Sequence, residues 1–524
     1  MTLCSPSDYA LAHIVNPETG RRLDFVSHAY LLKPLNDLGP RVVIQKGAQV
    51  GATVLAMARA LWFVEKREAH TLYLFPTHRS AQRFSRGRLA TLLDSSQHLQ
   101  TLFKGGRSIG HLRAGRVNLY CHGARSRAEL MSTPAQSLII DERDEMYQAD
   151  AYGRQPWSAV ELARQRLAGQ EVWWELSVST PTLPGHGIAA DYAASNQQVF
   201  LMPCPRCGRR VTLSWPESVS WSEADDDRIP ATYCCSVCKG CWREEERREA
   251  VGAGEWVAQR VGRHRGYHVP RLLAPALPAP RLVDEWRKAQ TGAGLMQVFH
   301  NAVLGLPYLP EGGRLQRHEL ESAQAASPFR MAENSEAVCV LGADVGPTWL
   351  HMVVVELGSG RPRVVWIGKT PAWNTLADLV RRFKVRSFVL DAQPETHLAR
   401  KFVREFHQGL LCYYHGAGEP VVDAATKTVT ASRTGTLDAL YSKLRMGELL
   451  LPLDAPAEFI QHLESLVRVL RRGRDGELHA EYHETGGPDH YAHALNYALL
   501  AANVLTRPLT FQVTKPRGME LAWE

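Results

Sequence analysis

Short β-rich apolar runs punctuate the first third of the chain: Val42-Val43-Ile44, Thr71 to Phe75, Leu138 to Ile140 and Leu176 to Val178, separated by helix-like stretches. That alternation predicts an α/β domain with a largely parallel sheet. From about Phe200 to Trp256 the apolar periodicity fades and charge runs appear (Asp225 to Asp227, Glu244 to Arg248), which predicts a small inserted module. Between Gly266 and Gly313, Pro270, Pro275, Pro278, Pro280 and Pro310 surround two expected helices, the composition of a connector. A second α/β unit follows from about Ala337, and there is no internal repeat. The expected division is 1–199 for the first domain with its N-terminal segment, 200–256 for the module, 257–334 for the connector, 335–508 for the second domain and 509–524 for a tail.

Composition changes this picture little. A chain of 524 residues is too long for one ordinary core, which fits two large domains and a small module. With 45% hydrophobic and 22% charged residues, wholesale disorder and collagen-like repetition are excluded. No apolar run approaches membrane-spanning length and Met1 to Gly20 lacks a secretory pattern, so no membrane partner is expected and the chain is placed in a cytoplasm. A net charge of +7 permits a nucleic-acid partner without requiring one. Six of the ten cysteines fall between Cys204 and Cys241, which in a reducing compartment points to metal binding over disulfides.

The first run, Val42 to Ile44, leads directly into Gln45-Lys46-Gly47-Ala48-Gln49-Val50-Gly51-Ala52-Thr53 and then an apolar helix, Val54 to Val64. A strand, a Gly-rich loop and a helix aim loop N–H groups and a helix N-terminus at a phosphate. Against the usual G-x-x-x-x-G-K-[ST] pattern, Gly51 and Thr53 fit, Ala52 holds the lysine position, and Lys46 stands where the first glycine belongs. A lysine is long enough to reach the β/γ-phosphates of ATP from the head of the loop. The expected ATP-binding set is therefore Lys46, Gly47, Gln49, Gly51 and Thr53, with Thr53 on Mg²⁺. The alternative is an ordinary strand-turn-helix with a solvated lysine. Ser137 to Glu142 shifts the balance: an apolar strand ends in paired acids, Asp141 to take a water-bridged Mg²⁺ and Glu142 to orient the attacking water. Ser179 and Thr180, closing the next strand, have the small hydroxyls of a segment that couples hydrolysis to movement. Arg79, Arg83, Arg86 and Arg88 form a basic helix, and Arg125 and Arg127 precede the acidic pair; each is either a trans arginine finger, a DNA contact or a solvated charge.

Cys204-Pro-Arg-Cys207-Gly and Cys235-Ser-Val-Cys238-Lys-Gly are two C-x-x-C knuckles at the spacing of a zinc ribbon. A tetrahedral Zn²⁺ on Cys204, Cys207, Cys235 and Cys238 would fold a module with little core of its own. Cys238-x-x-Cys241 is also a legal knuckle; the Lys-Gly after Cys238 favours the first set.

In the second α/β unit, Asp344 lies between Gly342 and Gly346 on the first apolar strand, and Asp391 ends the strand Ser387 to Leu390. Asp489 opens a late helix after a Gly-Gly-Pro turn, with His493 on the same helical face at i+4. Acids on a first strand, a fourth strand and a late helix form an RNase H-like arrangement. Clustered carboxylates there bind two Mg²⁺ or Mn²⁺ ions that activate a water and stabilise a leaving 3′ oxygen. Each acid is alternatively an N-cap or a surface charge, Asp489 above all.

With these motifs on the page, the chain resembles the large terminase subunits of tailed phages, in their lambda-like branch, over about Ser27 to Ala502. The resemblance is carried by Lys46, Leu74-Phe75-Pro76-Thr77 with Ala81 and Phe84-Ser85, Pro134-Ala135 before Leu138 to Glu142, and Ser179-Thr180-Pro181. It extends through both knuckles, Val298 to Asn301, Leu304 to Pro307 and the Asp344 strand. The early lysine without a lysine before Thr53 is that branch's own pattern, whereas relatives often carry a further aspartate where His493 stands. The resemblance implies a P-loop (RecA/ASCE-like) ATPase domain, a zinc-ribbon insertion and a C-terminal RNase H-like nuclease domain. It also implies ATP-driven pumping of double-stranded DNA through a portal by a homo-oligomeric ring, a small terminase subunit as partner, cutting of concatemers, and a host cytoplasm as the setting. The competing readings are a DNA helicase or remodelling ATPase, a recombinase, and a zinc-ribbon scaffold with a dead nucleotide site.

Overall fold

The computed structural model describes residues 4–16, 19–146, 158–222, 230–310, 312–326, 328–358, 360–415, 418–472, 478–485 and 487–506. The expected tail, 509–524, and the charge run 225–227 lie outside them. The chain falls into two compact units, one ending at Leu309 and one beginning at Pro310.

The first unit is built on an 11-stranded sheet. Its centre is β1 (Arg41–Lys46), which feeds α1 (Ala52–Lys66), followed by β2 (Thr71–Phe75), β3 (Val117–Gly123), β4 (Ser137–Asp141) and β5 (Trp174–Ser179). Later strands are β6 (Gln198–Pro203), β7 (Glu255–Ala258) and β8 (Arg265–Val269). The spatial order is β7-β6-β8-β1-β5-β4-β2-β3, parallel throughout except for β7, with short antiparallel strands finishing the β3 edge. The central strands are buried on both faces, which is why they read as unbroken apolar runs. An ion-pair network closes one end of this sheet: Arg41 and Arg164 both hold Glu175, and Arg41, Arg143 and Arg164 hold Asp191.

The expected connector, 257–334, does not stand apart. Its residues 265–269 form β8, which pairs with β1 along Val42 to Lys46, and the chain through Leu309 belongs to the first unit. The prolines cut this stretch into a strand and helices without freeing it from the sheet. The cysteine-rich segment is likewise anchored at both ends, because β6 leads into it and β7, the edge strand, returns from it to pair with β6.

The second unit holds a seven-stranded sheet. It comprises β9 (Val338–Val345), β10 (Leu350–Leu357), β11 (Arg363–Thr370), α2 (Trp373–Arg382), β12 (Ser387–Asp391), α3 (Thr396–Glu405), β13 (Gly409–Tyr414), β14 (Val421–Asp423) and β15 (Thr428–Ala431), in the order β11-β10-β9-β12-β13-β15-β14. Alternate residues face opposite layers. Leu341, Ala343 and Val345 pack with Leu376 and Phe402 of α2 and α3, whereas Val340, Val353 and Val389 pack with α5 (His490–Thr506). Between these, α4 (Ala457–Ser465) leads into an antiparallel ribbon, Leu466–Arg472 with Leu478–Glu484. Among the described residues no helix is long and apolar enough to cross a membrane.

Candidate functional site

Three groups of side chains have the makings of chemical sites. The first lies at the carboxyl ends of β1, β4 and β5, where parallel register brings Gln45 beside Ser179 and Asp141 beside Val178. Ligands of open α/β sheets bind at this edge because loops diverge there and helix N-termini converge. Lys46 is buried, and its ammonium donates to Thr180 Oγ1 at 3.1 Å and approaches Glu142 Oε1 at 3.4 Å. Glu142 is held at φ 57°, a left-handed conformation that a non-glycine residue adopts at a cost. Asp141 is buried; Tyr73 donates to its Oδ2 at 3.0 Å, Oδ1 has no partner, and the nearby Thr53 hydroxyl favours the charged carboxylate. Burial, then the charge of Glu142, pushes the Asp141 carboxyl up to about 6. An orphaned buried acceptor beside a threonine hydroxyl is a donor set that suits a hard cation.

The loop itself turns on Gln49 (φ 61°) and Gly51 (φ 85°). Gly47 leaves no room for a side chain, since a Cβ there would meet the Ala302 carbonyl and the Arg271 amide at 2.9 Å. Its N–H donates to Val269 and that of Ala48 to Ala302, so residues after β8 brace the loop from behind. Sequence reasoning missed Asp144. Its buried carboxylate accepts from Thr182 N (2.8 Å), Thr182 Oγ1 (2.9 Å) and Ile188 N (2.7 Å), and its own N–H donates to Ser179 Oγ at 3.0 Å. It thereby ties the turn after the acidic pair to the Ser179-Thr180 segment. Burial raises its carboxyl to about 6. The one available signal was a third acid in Asp141-Glu142-Arg143-Asp144. Arg79, Arg83, Arg86 and Arg88 are all exposed, on one helical stretch after β2.

The second group is the pair of knuckles. Cys204 Sγ lies 3.9 Å from Cys238 Sγ and Cys207 Sγ 3.9 Å from Cys235 Sγ, and all four sulfurs fall within 4.8 Å of one another. Amides of Arg206 and Cys207 point at Cys204 Sγ, and those of Val237 and Cys238 at Cys235 Sγ. Burial opposes a thiolate at Cys204, but these amides hold its pKa down to about 6. Each knuckle closes through a left-handed residue, Gly208 in the first and Lys239, not the following Gly240, in the second. Cys234 and Cys241 face each other across a strand pair, outside the four-thiol group.

The third group occupies the α5 face of the second sheet. Parallel register places Ala343 beside Leu390, so Asp344 and Asp391 follow at the ends of adjacent strands. Asp344 is buried, and His490 Nδ1 lies 2.9 Å from its Oδ2. That contact depends on Gly342, where a Cβ would fall 2.0 Å from the Ala494 carbonyl oxygen and 2.2 Å from the Ala498 nitrogen; without a side chain there, α5 lies directly on β9. His351, opposite Asp344 on β10, stacks on His490 at 4.5 Å, and its buried Nδ1 has no partner. Burial, with His490 beside it, pushes the His351 imidazole down to about 4, so it stands neutral as metal ligation requires. Asp344, His351 and His490 place ligand atoms within 4.8 Å of one another; Asp391 and Asp489 are not in that group. The Asp391 carboxylate accepts from Gln393 N at 3.1 Å. The Asp489 carboxylate is 3.0 Å from His493 Nε2 and 3.5 Å from Arg433, and His493 in turn reaches Tyr414. The sequence offered His490 as the neighbour of Asp489, but His351 becomes visible only when the hairpin register is known.

Two family models match consecutive parts of the chain: the phage terminase large subunit gpA ATPase domain over residues 36–256, and the terminase large subunit gpA endonuclease domain over 264–509. The chain belongs to the gpA family of phage terminase large subunits. The terminase large subunit of Enterobacteria phage P21 is 21% identical over 323 residues, 54% of this chain and 49% of that protein, so the match spans about half the length of this curated relative. Among solved structures, a large terminase from a thermophilic bacteriophage is 12% identical with a TM-score of 0.31, covering 92% of this chain and 98% of that one. The large terminase ATPase domain of Thermus phage P74-26 is 14% identical with a TM-score of 0.32, covering 58% of this chain and 98% of that one.

Proposed function

We propose that this chain drives double-stranded viral DNA into a procapsid by hydrolysing ATP, and cuts concatemeric DNA with a metal-dependent endonuclease in its second unit. The observation that carries the reading is that each unit gathers acids at the carboxyl ends of parallel strands: Asp141 and Glu142 at the end of β4, with Lys46 of β1 reaching Glu142, in one, and Asp344 and Asp391 on adjacent β9 and β12 in the other. In the first unit Lys46, with the Gly47, Gln49 and Gly51 loop, binds the phosphates, and Glu142 orients the attacking water. Thr53 and Asp141 would hold Mg²⁺, which supplies charge neutralisation on the phosphate oxygens. Lys46 touches both Glu142 and Thr180, so a phosphate that draws the ammonium away changes the partners of both residues. Through the Asp144–Ser179 hydrogen bond this reaches the coupling segment.

In the second unit Asp344 and Asp391, with His351 and His490, would hold the divalent ions, which supply an activated water and stabilise the leaving oxygen. Asp489, expected among these ligands, serves in this reading to orient Arg433 and His493. The four thiols of Cys204, Cys207, Cys235 and Cys238 would hold one structural Zn²⁺. The partners are a portal, a small terminase subunit and further copies of the chain in a ring, in the host cytoplasm. The test is incubation of purified protein with supercoiled plasmid, with and without ATP and Mg²⁺ or Mn²⁺. DNA-stimulated phosphate release and metal-dependent linear products support the proposal, and the absence of either overturns that half of it.

A further inference from the structure

A line of polar residues leaves the Asp344 centre across the sheet. Asp344 on β9 pairs with His351 on β10, and His351 pairs with Lys369 on β11, so the three side chains project from one face in a row. β11 is the edge strand, and exposure rises along the row from 0% at Asp344 through 5% at His351 to an exposed Lys369. Two residues before His351, at the hairpin that joins β9 to β10, Trp349 is 43% exposed and its ring lies under the Lys369 ammonium at 5.6 Å. Glu458, at the first turn of α4, holds that ammonium from the other side at 2.7 Å. A half-exposed indole with a tethered cation over its ring, at the rim of a buried acid and two imidazoles, is the pairing that recognises a nucleotide: an aromatic surface for the base and a positive charge for its phosphate.

We infer that Trp349 and Lys369 form a nucleotide subsite flanking the cleavage centre. Lys369 takes the backbone phosphate next to the one at Asp344, and Trp349 stacks on the base attached to it. The subsite rests on the nuclease reading above and specifies how the DNA strand enters that site. It favours strands whose bases are frayed or unpaired at this point, because a stacked duplex offers no base face to the indole.

The test is binding of a duplex with a frayed end to the full-length Asp344→Asn protein, by fluorescence anisotropy over a series of salt concentrations. Trp349→Ala should weaken binding roughly tenfold, and Trp349→Phe, which keeps a π-face, by no more than about threefold. Lys369→Met should flatten the plot of log affinity against log salt by about one unit, the signature of one lost phosphate contact. In the cleaving protein, KM should carry most of the Trp349→Ala effect. Wild-type affinity in Trp349→Ala together with an unchanged slope in Lys369→Met overturns the subsite. Should Trp349→Ala not fold, Lys369→Met at its exposed position decides alone. Failure of the wild-type chain to cut DNA in Mn²⁺ would strike the nuclease reading instead.

Discussion

Lys46 serves two acceptors, Thr180 and Glu142, from a buried position at the head of its loop, and Ala52 leaves no second lysine to replace it. Lys46→Ala should therefore abolish ATP turnover with the fold intact, and wild-type turnover in that variant would remove the assignment. Glu142→Gln should bind ATP without hydrolysing it, as nucleotide binding and phosphate release measured side by side will show. Asp144 yields a different kind of prediction. Its carboxyl is raised to about 6 by burial, so the folded state holds the proton more tightly than the unfolded chain. Stability contributed by this group falls as pH rises from about 4 to about 6, by on the order of 3 kcal/mol. Arg143 offers it a countering charge, which opposes the rise. Asp144→Asn should lose that slope in denaturant titrations across the window, and an identical slope in both proteins would show that the carboxyl titrates normally. At this scale the sequence revealed strand-end acids well, because a polar residue after an apolar run is conspicuous. Asp144 and His351 were hidden because their importance lies in partners 35 or more residues away, or across a hairpin whose register the sequence does not state.

The placement of α5 on β9 is a matter of one absent side chain. Gly342→Ala would drive a methyl into the helix backbone at Ala494 and Ala498, and should cost on the order of 3 kcal/mol or expel the helix. Because α5 carries His490, nuclease activity should fall with it. Gly358→Ala, where the space is open, is the control and should change thermal stability little. The knuckles make an element of another kind, since four thiols gather where two short strand pairs turn. Elemental analysis should find about one zinc per chain, and Cys207→Ser with Cys238→Ser should release it; retention would place the ligands elsewhere, with Cys234 and Cys241 as the first candidates. Strand runs were legible in the sequence because buried parallel strands are uninterrupted apolar segments. The segment from 257 was misjudged because β8, Arg265 to Val269, mixes charge, glycine and histidine with few apolar residues. It is nonetheless buried beside β1, with Tyr267 and Val269 inward.

Across the whole molecule, the two sets of acids reside in different compact units, one ending at Leu309 and the other starting at Pro310. Removing one chemistry should therefore spare the other. The third acid is the sharpest local question inside this frame: if Asp489 only pairs with His493 and Arg433, Asp489→Asn should retain cleavage at a stability cost of about 1–3 kcal/mol, whereas a metal ligand would lose cleavage outright. The most direct measurement of the account is a two-assay comparison of wild type, Lys46→Ala and Asp344→Asn, scoring DNA-stimulated ATP hydrolysis and Mn²⁺-dependent plasmid cleavage in each. Lys46→Ala should cut DNA without turning over ATP, and Asp344→Asn should turn over ATP while cutting at least about a hundredfold more slowly, several kcal/mol of transition-state stabilisation being lost with the metal ligand. Loss of both activities in either variant, or of neither, would contradict a chain built from two separable engines.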